Sequence, residues 1–425
     1  MRSATRQDSV RVALALLGAA ACLLGMWSAG REGLSRLFAS YGSTTNQLEA
    51  AERAVALSPS DPEAHYVRAS LLADAGELAE AVKEYERAVA LRPQDYVLWL
   101  ELGRARDRAN DLDGALTAFK ESVRLAPSYA RPRWQLGNVL FRAGRREEAL
   151  AELRRAAAVD RKLLPAAIDL AWAATGGDAR AVEQAIQPQT PSMHLALARF
   201  FARQGKTSEA VAQYRAAGDV SEQERRVLLE ELLAARRFDE AYEVWASTHR
   251  ENAGAGTSSN GPIINGGFEE AIRLDDPGFG WQLQRGATGV QVSHDALEPR
   301  AGTQSLRLVW SGNSDPASPA LSQLVLVKPN SRYRLRFAAR TEKLVTGALP
   351  MITVVDAGGS DVRSLAQPVV LPQGPSAWQD YTTEFKTAGE TGAVLVSVRR
   401  QDCSSNPCPI FGRIWLDDFS MLKIE

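Results

Sequence analysis

The chain has 425 residues with 50 basic and 51 acidic side chains, a net charge of −1, so it lacks the electrostatic footprint of a nucleic-acid binder. A single core stops growing near ~250–300 residues, which makes two or three domains the expectation. None of the three cysteines joins a Cys/His cluster at zinc-ligand spacing, and this excludes a zinc module.

Residues 1–11 carry Arg2, Arg6 and Arg11 against Asp8, and residues 12–29 follow as 18 positions without a charge. Two readings compete here. A signal peptide has a short apolar region and a small-residue cleavage site, which Ser28-Ala29-Gly30 offers. A retained anchor needs ~17–25 apolar residues. The length of the run and its continuation through Trp27 favour an N-terminal transmembrane helix over residues 1–30. Basic residues ahead of the span hold the N-terminus in the cytoplasm, so everything after Gly30 is expected to be extracytoplasmic.

Residues 31–60 read as a degenerate helix pair, with Leu34, Leu37 and Phe38 as its apolar stripe. Residues 61–160 then repeat at a spacing of 34. Ala69, Gly103 and Gly137 share one column, Ala81, Ala115 and Ala149 another, and Gly76, Asn110 and Gly144 a third. Pro93 and Pro127 close two of the repeats, because proline cannot continue a helical backbone ladder. A fixed period of this length with two amphipathic stretches per period predicts a helix–turn–helix solenoid. The small columns let paired helices approach, and Tyr85, Phe119 and Leu153 fill the space between. The frame weakens after residue 160, returns at Ala198, Gly205 and Ala210, and ends near Ala241, which puts the solenoid at 31–250.

These columns resemble the tetratricopeptide repeat family. Arg106 departs from its pattern, since the family favours a large aromatic there, and this predicts a loosely filled second repeat. The resemblance places one stripe of each first helix on a concave, peptide-binding face. The groove residues carried over are Tyr66, Arg104, Arg108, Trp134, Asn138, Phe141 and Arg142, with packing between repeats as the alternative for Trp134 and Phe141. Aromatic and arginine side chains in a groove suit protein recognition, where a few anchors carry most of the energy. The same resemblance assigns Trp99 to the core.

Residues 251–262 are small and polar without periodicity and read as a flexible linker. Beyond them the period changes from 3.6 to 2. Tyr333, Leu335 and Phe337 alternate with Arg334 and Arg336, and short strands are expected at 323–327, 351–355, 393–398 and 414–422. About eight strands in 263–425 predict an all-β sandwich of two sheets. Burying Tyr333, Leu335 and Phe337 forces Arg334, Arg336 and Arg340 onto one outer face, which Arg399 or Arg400 joins if the strands are neighbours. An anionic glycan matches such a face, because arginine donates in a planar fork. The alternative is an exposed sheet solubilised by ion pairs to Glu342 or Glu384. Cys403 and Cys408 flank a four-residue hairpin loop, and outside the cytoplasm a disulfide is expected between them.

Asn265-Gly266-Gly267-Phe268-Glu269, Gly280-Trp281, Gly302-Thr303-Gln304-Ser305-Leu306, Trp378 and Ile414-Trp415-Leu416-Asp417-Asp418 together resemble the jelly-roll carbohydrate-binding modules of families four and nine. The resemblance implies a structural calcium ion on Glu269 with Asp417 or Asp418. It also implies that Trp281, Trp378 and Tyr333 are buried. Trp310 and Phe279, at strand or loop ends, are better candidates for stacking on a sugar, against a core reading that outweighs this role for each.

Catalytic constellations are missing from the sequence. His65, His194, His249 and His294 are scattered, and no zincin, nucleophile-elbow or phosphate-loop motif occurs. Asp275-Asp276 before Pro277 reads as a solvated turn rather than an acid/base pair. The sequence therefore predicts a non-enzymatic, membrane-tethered adaptor with a protein partner in its solenoid and a glycan or second protein on its sandwich. The rivals are a glycan-binding envelope protein whose solenoid is a spacer, and an accessory factor in envelope polysaccharide assembly or export.

Overall fold

The computed structural model describes residues 2–249, 261–272, 277–283, 289–316, 318–358, 363–403 and 407–425, with side chains from residue 16 onward except at 313. Most of the expected linker at 251–262 lies outside the described residues, as does Asp275-Asp276. The chain divides into two compact units, Met1–Gln187 and Pro188–Glu425.

The first unit is all helical. It opens on one long helix, α1 (Arg2–Thr45), followed by α2 (Leu48–Leu57), α3 (Pro62–Asp74), α4 (Leu78–Leu91), α5 (Tyr96–Arg108), α6 (Leu112–Leu125), α7 (Ala130–Arg142) and α8 (Arg146–Val159). A 3-10 turn, Arg161–Leu163, then leads into α9 (Leu164–Ala174) and α10 (Ala179–Ile186). The expected transmembrane helix is not found: among the described residues no helix is long and apolar enough to cross a membrane. The uncharged run lies within α1, but its first four residues fall outside those whose side chains are described.

Consecutive helices pack as pairs, α1 with α2, α3 with α4, α5 with α6 and α7 with α8. The small columns explain the closeness. A Cβ on Gly103 would lie 2.6 Å from the Phe119 ring, and one on Gly137 would lie 2.7 Å from Leu153, while Ala81, Ala115 and Ala149 are wholly buried. The third column is conformational: Gly76, Asn110 and Gly144 all turn through positive φ (87°, 61° and 76°), so each first helix ends in a left-handed residue. Asp61 and Asp95 start first helices by accepting the amides of Glu63 and Val97. The second repeat is not loose. Arg106 fills the aromatic's place with its stem and donates to the Gly114 carbonyl at 3.1 Å and to Glu86 at 2.7 Å.

The second unit begins with two helix pairs, α11 (Pro191–Arg203) with α12 (Thr207–Ala217) and α13 (Glu222–Ala234) with α14 (Phe238–Ala246). Among the described residues nine strands follow: β1 (Val290–Asp295), β2 (Ser305–Asn313), β3 (Leu321–Leu326), β4 (Arg332–Thr346), β5 (Pro350–Asp356), β6 (Val369–Val370), β7 (Ser376–Lys386), β8 (Ala393–Arg400) and β9 (Pro409–Lys423). They form a five-stranded sheet, β1-β2-β9-β4-β7, and a four-stranded sheet, β3-β8-β5-β6. One apolar cluster joins the inner faces, with Leu308, Tyr333, Leu335, Phe337 and Ile414 from the first sheet and Leu321, Ile352, Val394 and Val396 from the second.

The outer face of the four-stranded sheet is covered by the chain itself. Leu324 and Leu326 point outward on β3 and line a cavity of about 160 Å³ with Tyr242 of α14, Pro262, Ile264 and Phe279. The Phe279 ring stands 5.1 Å from Tyr242 and 5.9 Å from Trp245. Gly278 makes that approach feasible: at φ 136° a Cβ would sit 2.4 Å from Trp245 Cδ1. Arg236, in the turn before α14, donates to the Gly358 carbonyl at 2.6 Å. Cys403 and Cys408 are disulfide-bonded. Beside them Arg400 is buried and donates to the carbonyls of Ser314 (2.6 Å) and Ala348 (3.3 Å).

Candidate functional site

The first helices α3, α5 and α7 carry the predicted groove residues, and polar contacts tie them one repeat to the next. Arg108 donates to the Ala73 carbonyl at 2.7 Å, and Arg142 pairs with Asp107. Both contacts span 35 residues, so the same clamp recurs one period later. Glu101 receives Arg104 at 2.7 Å and Arg131 of the next repeat at 3.1 Å. Arg108 and Arg142 therefore act as spacers between repeats, while Arg104 pairs within its own helix. Between α3 and α5 lies a polar pocket of about 80 Å³ lined by Ser70, Asp74, Tyr85, Glu101, Arg104 and Arg108.

The aromatics separate into two groups. Phe141 is half-buried against the cluster of Leu136 and Leu140, and Tyr66 packs edge-on to Tyr85 at 6.1 Å. Burial raises the Tyr66 hydroxyl above its ordinary pKa of 10.0. Trp134 and Asn138 stand half-exposed one turn apart on α7. Trp99 is half-buried, with its indole donating to the Pro93 carbonyl at 2.8 Å. His65, beneath the groove, is buried between two acceptors, Glu84 at 2.6 Å and the Pro59 carbonyl at 2.9 Å.

On the sandwich the predicted glycan residues do not come together. Trp310 is 3% exposed and belongs to the inner cluster, because residues 306, 308 and 310 of β2 share the inward parity. It has no face for a sugar. Phe279 is equally buried, under α14. Arg399 lies on β8 in the four-stranded sheet, so it cannot join Arg334, Arg336 and Arg340 on β4. Arg334 pairs with Glu384 across the β4–β7 register, and Arg413 sits 3.6 Å from Glu342. Arg336 is exposed.

What sequence reasoning missed is a row across the outer face of the five-stranded sheet. Registers set Arg307 beside Trp415 and Trp415 beside Arg340, with Trp378 on the adjoining β7. The Arg340 guanidinium lies 4.1 Å over the Trp415 ring and 6.0 Å from Trp378, and it pairs with Glu298. Asp295 accepts the Trp415 indole at 2.9 Å and Arg307 at 3.2 Å. Trp415 is buried under Arg340, whereas Trp378 remains half-exposed. Arginine–tryptophan alternation across neighbouring strands was the available signal, but strand order is not written in the sequence.

Hydrogen bonds from the Trp415 indole and the Leu297 amide, with Arg307 nearby, hold the Asp295 carboxyl below its ordinary 3.8. A depressed carboxylate stabilises the fold above its unfolded pKa, and this contribution disappears as pH falls through the folded value. Asp295→Asn should therefore flatten the loss of sandwich stability on acidification from about pH 6 to about pH 3, followed by melting temperature. An unchanged acid slope would remove Asp295 from the account.

The carboxylates assigned to calcium do not fit a cation. Asp417 is buried and accepts the amides of Arg300 (2.9 Å), Ala301 (3.1 Å) and Asp418 (2.7 Å). Glu269 accepts the Thr303 amide at 2.9 Å and the Thr303 hydroxyl. Burial raises the Asp417 carboxyl, while the Thr303 contacts lower that of Glu269. Calcium needs six to eight oxygens, yet among the described residues no three His, Cys, Asp or Glu gather as a metal site. Here the carboxylates pin the 300–304 loop instead.

No curated protein sequence matches the chain. Among solved structures, YrrB, described as a TPR protein with an unusual peptide-binding site, is similar at 19% identity, over 44% of this chain and 90% of that one, with a TM-score of 0.33. MamA is similar at 17% identity over 40% and 84%, TM-score 0.27. A structure described as CBM4 structure and function is similar at 14% over 38% and 99%, TM-score 0.29. Two tetratricopeptide repeat family models match residues 48–96 and 108–171, and these stretches of the first unit are tetratricopeptide repeats, a fold that generally serves protein interaction.

Proposed function

We propose that this chain is a non-enzymatic adaptor that holds a protein partner against the first-helix face of α3, α5 and α7. The observation that carries this reading is the pair Trp134 and Asn138, half-exposed on the face whose spacing Arg108 and Arg142 fix. Preset spacing lowers the ordering cost of binding, and a part-exposed tryptophan supplies the anchor. The neighbouring pocket at Asp74, Glu101, Arg104 and Arg108 offers both signs of charge to a partner's side chains. With a partner captured from envelope extract by the full chain, Trp134→Ala should weaken affinity by ~2 kcal/mol or more, at least thirtyfold, with no change in melting temperature. Intact affinity with a lowered melting temperature would make Trp134 a packing residue and end the reading.

Extracytoplasmic placement draws on the Cys403–Cys408 disulfide, since such bonds persist in oxidising compartments. Anchoring draws on the apolar part of α1, where Leu16, Leu17, Leu23, Leu24 and Trp27 are all exposed. Full-length protein should stay with the membrane through high-salt extraction, whereas a soluble form starting near Arg31 would refute the anchor.

A second reading places an acidic polysaccharide on the outer face of the five-stranded sheet, favoured by half-exposed Trp378 beside Arg340 and by exposed Arg336. Glycan-array binding that weakens with salt and is lost in Arg334→Ala/Arg336→Ala supports it. Preference for neutral glycans refutes it.

A further inference from the structure

We propose that Cys403 and Cys408 form a thiol–disulfide exchange site for an external dithiol. The dithiol attacks Cys403, and Cys408 departs as a thiolate held by Arg400. The site is visible first in Arg400, which is 4% exposed. Every acceptor it has among the described residues is uncharged: the carbonyls of Ser314 (2.6 Å) and Ala348 (3.3 Å), the Thr346 hydroxyl (3.1 Å) and the Cys408 sulfur (2.9 Å). Burial works against the charge of the guanidinium, and Asp315, near enough to favour it, takes none of these bonds. A buried charge ordinarily finds an opposite one. Of the groups bonded to Arg400, only the Cys408 sulfur turns into an anion, and it does so when the disulfide is reduced.

The two sulfurs are unequal. Cys408 is 8% exposed and lies against the guanidinium, whereas Cys403 is half-buried. Exchange is governed by access to the attacked sulfur and by how well the other sulfur leaves. An incoming thiolate meets Cys403, the S–S bond breaks, and its electron pair goes to Cys408 Sγ, where Arg400 offsets the charge. The second thiol of the reductant, deprotonated, then attacks the mixed disulfide and releases Cys403, which takes up one proton. The reductant leaves as a disulfide, having supplied two electrons, and the second proton goes to solvent.

The corner that holds Arg400 does not depend on the disulfide. Thr346 donates to the Pro409 carbonyl at 3.0 Å, which fixes the start of β9 beside Cys408. Gln401 donates its amide to the Leu349 carbonyl at 2.9 Å and accepts the Leu349 amide at 3.3 Å. After reduction the thiolate therefore stays against the guanidinium. Stabilising the reduced form makes a disulfide more oxidising, which is the property of an exchanging bond rather than of one that only braces a loop.

The test uses the full chain in mild detergent, with free Cys22 replaced by serine. In glutathione buffers Arg400→Met should reach half-reduction only at about tenfold stronger reducing conditions, a shift of about 30 mV. Arg400→Lys, which keeps the charge, should recover part of that shift. Ultraviolet thiolate absorbance of the reduced chain, with Cys403→Ala/Cys408→Ala as blank, should show one thiolate near pH 7, where an ordinary thiol is only a few per cent ionised. Where Arg400→Met fails to fold, the thiolate reading of the chain with Arg400 intact decides alone. A midpoint unmoved by Arg400→Met, or a reduced chain with no thiolate near pH 7, would overturn the proposal and leave the disulfide a brace for its loop.

Discussion

Trp245→Ala is expected to cost the second unit about 3–5 kcal/mol, the range for removing a large side chain that has no way to collapse the space it leaves. Trp245 is 2% exposed, stacks on His249 at 4.2 Å, and meets Phe279 edge to face. Phe279 in turn closes the cavity over Leu324 and Leu326. The lost indole therefore unseats the cover of the four-stranded sheet as well as a helix. Urea titration of the full chain should show the second unit's transition moving to lower concentration, and limited proteolysis should open cuts in the sandwich at the same point. A loss under about 1 kcal/mol, within the range of an ordinary single substitution, would mean that α14 rests on the sheet without supporting it. Gly278→Val should reproduce the effect from the other side, because its side chain meets the same indole.

The largest effect expected in the first unit follows Glu84→Leu. Glu84 is 3% exposed and accepts His65 at 2.6 Å, Arg68 at 3.1 Å and Arg87 at 2.6 Å. Removing the carboxylate leaves a buried His65 ring nitrogen without its hydrogen-bond partner, which costs about 1–3 kcal/mol. Arg87 reaches solvent and can be rehydrated, but His65, itself 3% exposed, has no such outlet. The double variant His65→Leu/Glu84→Leu should recover much of the loss, since apolar replacement of a buried pair is often close to neutral. A double-mutant cycle by urea denaturation measures this directly. If the double variant is as unstable as the sum of the singles, the two side chains act independently and the buried-pair account is wrong.

The repeat period was legible because it states the same packing problem three times. Gly103 and Gly137 must be small for Phe119 and Leu153, and the columns at 76, 110 and 144 must tolerate positive φ. The inward set on β4 was equally readable, since alternation alone decides which residues are buried. What failed depended on strand order or on chain-to-chain cover. Trp310 was placed at a strand end, where burial depends on which neighbours flank β2. Arg399 or Arg400 could join that face only if the strands were neighbours, and β8 belongs to the other sheet. Nothing in the local sequence of Phe279 announces that α14 is what buries it. Glu269 and Asp417 have the chemistry of calcium ligands, but amides of the 300–304 loop had already taken their oxygens.

The arginine clamps on the first helices also have a direction in time. In both, the acceptor precedes the donor along the chain: the Ala73 carbonyl comes before Arg108, and Asp107 before Arg142. A polypeptide leaving the ribosome grows from its N-terminus at ~5–20 residues per second. Each arginine thus emerges a few seconds after the group that will receive it, and one more helix pair can dock on a surface that is already complete. Read backwards, the same order makes the ends unequal. Trimming the chain after α6 leaves only Asp107 without its cation, whereas trimming it before α5 leaves Arg108 with nothing to hold.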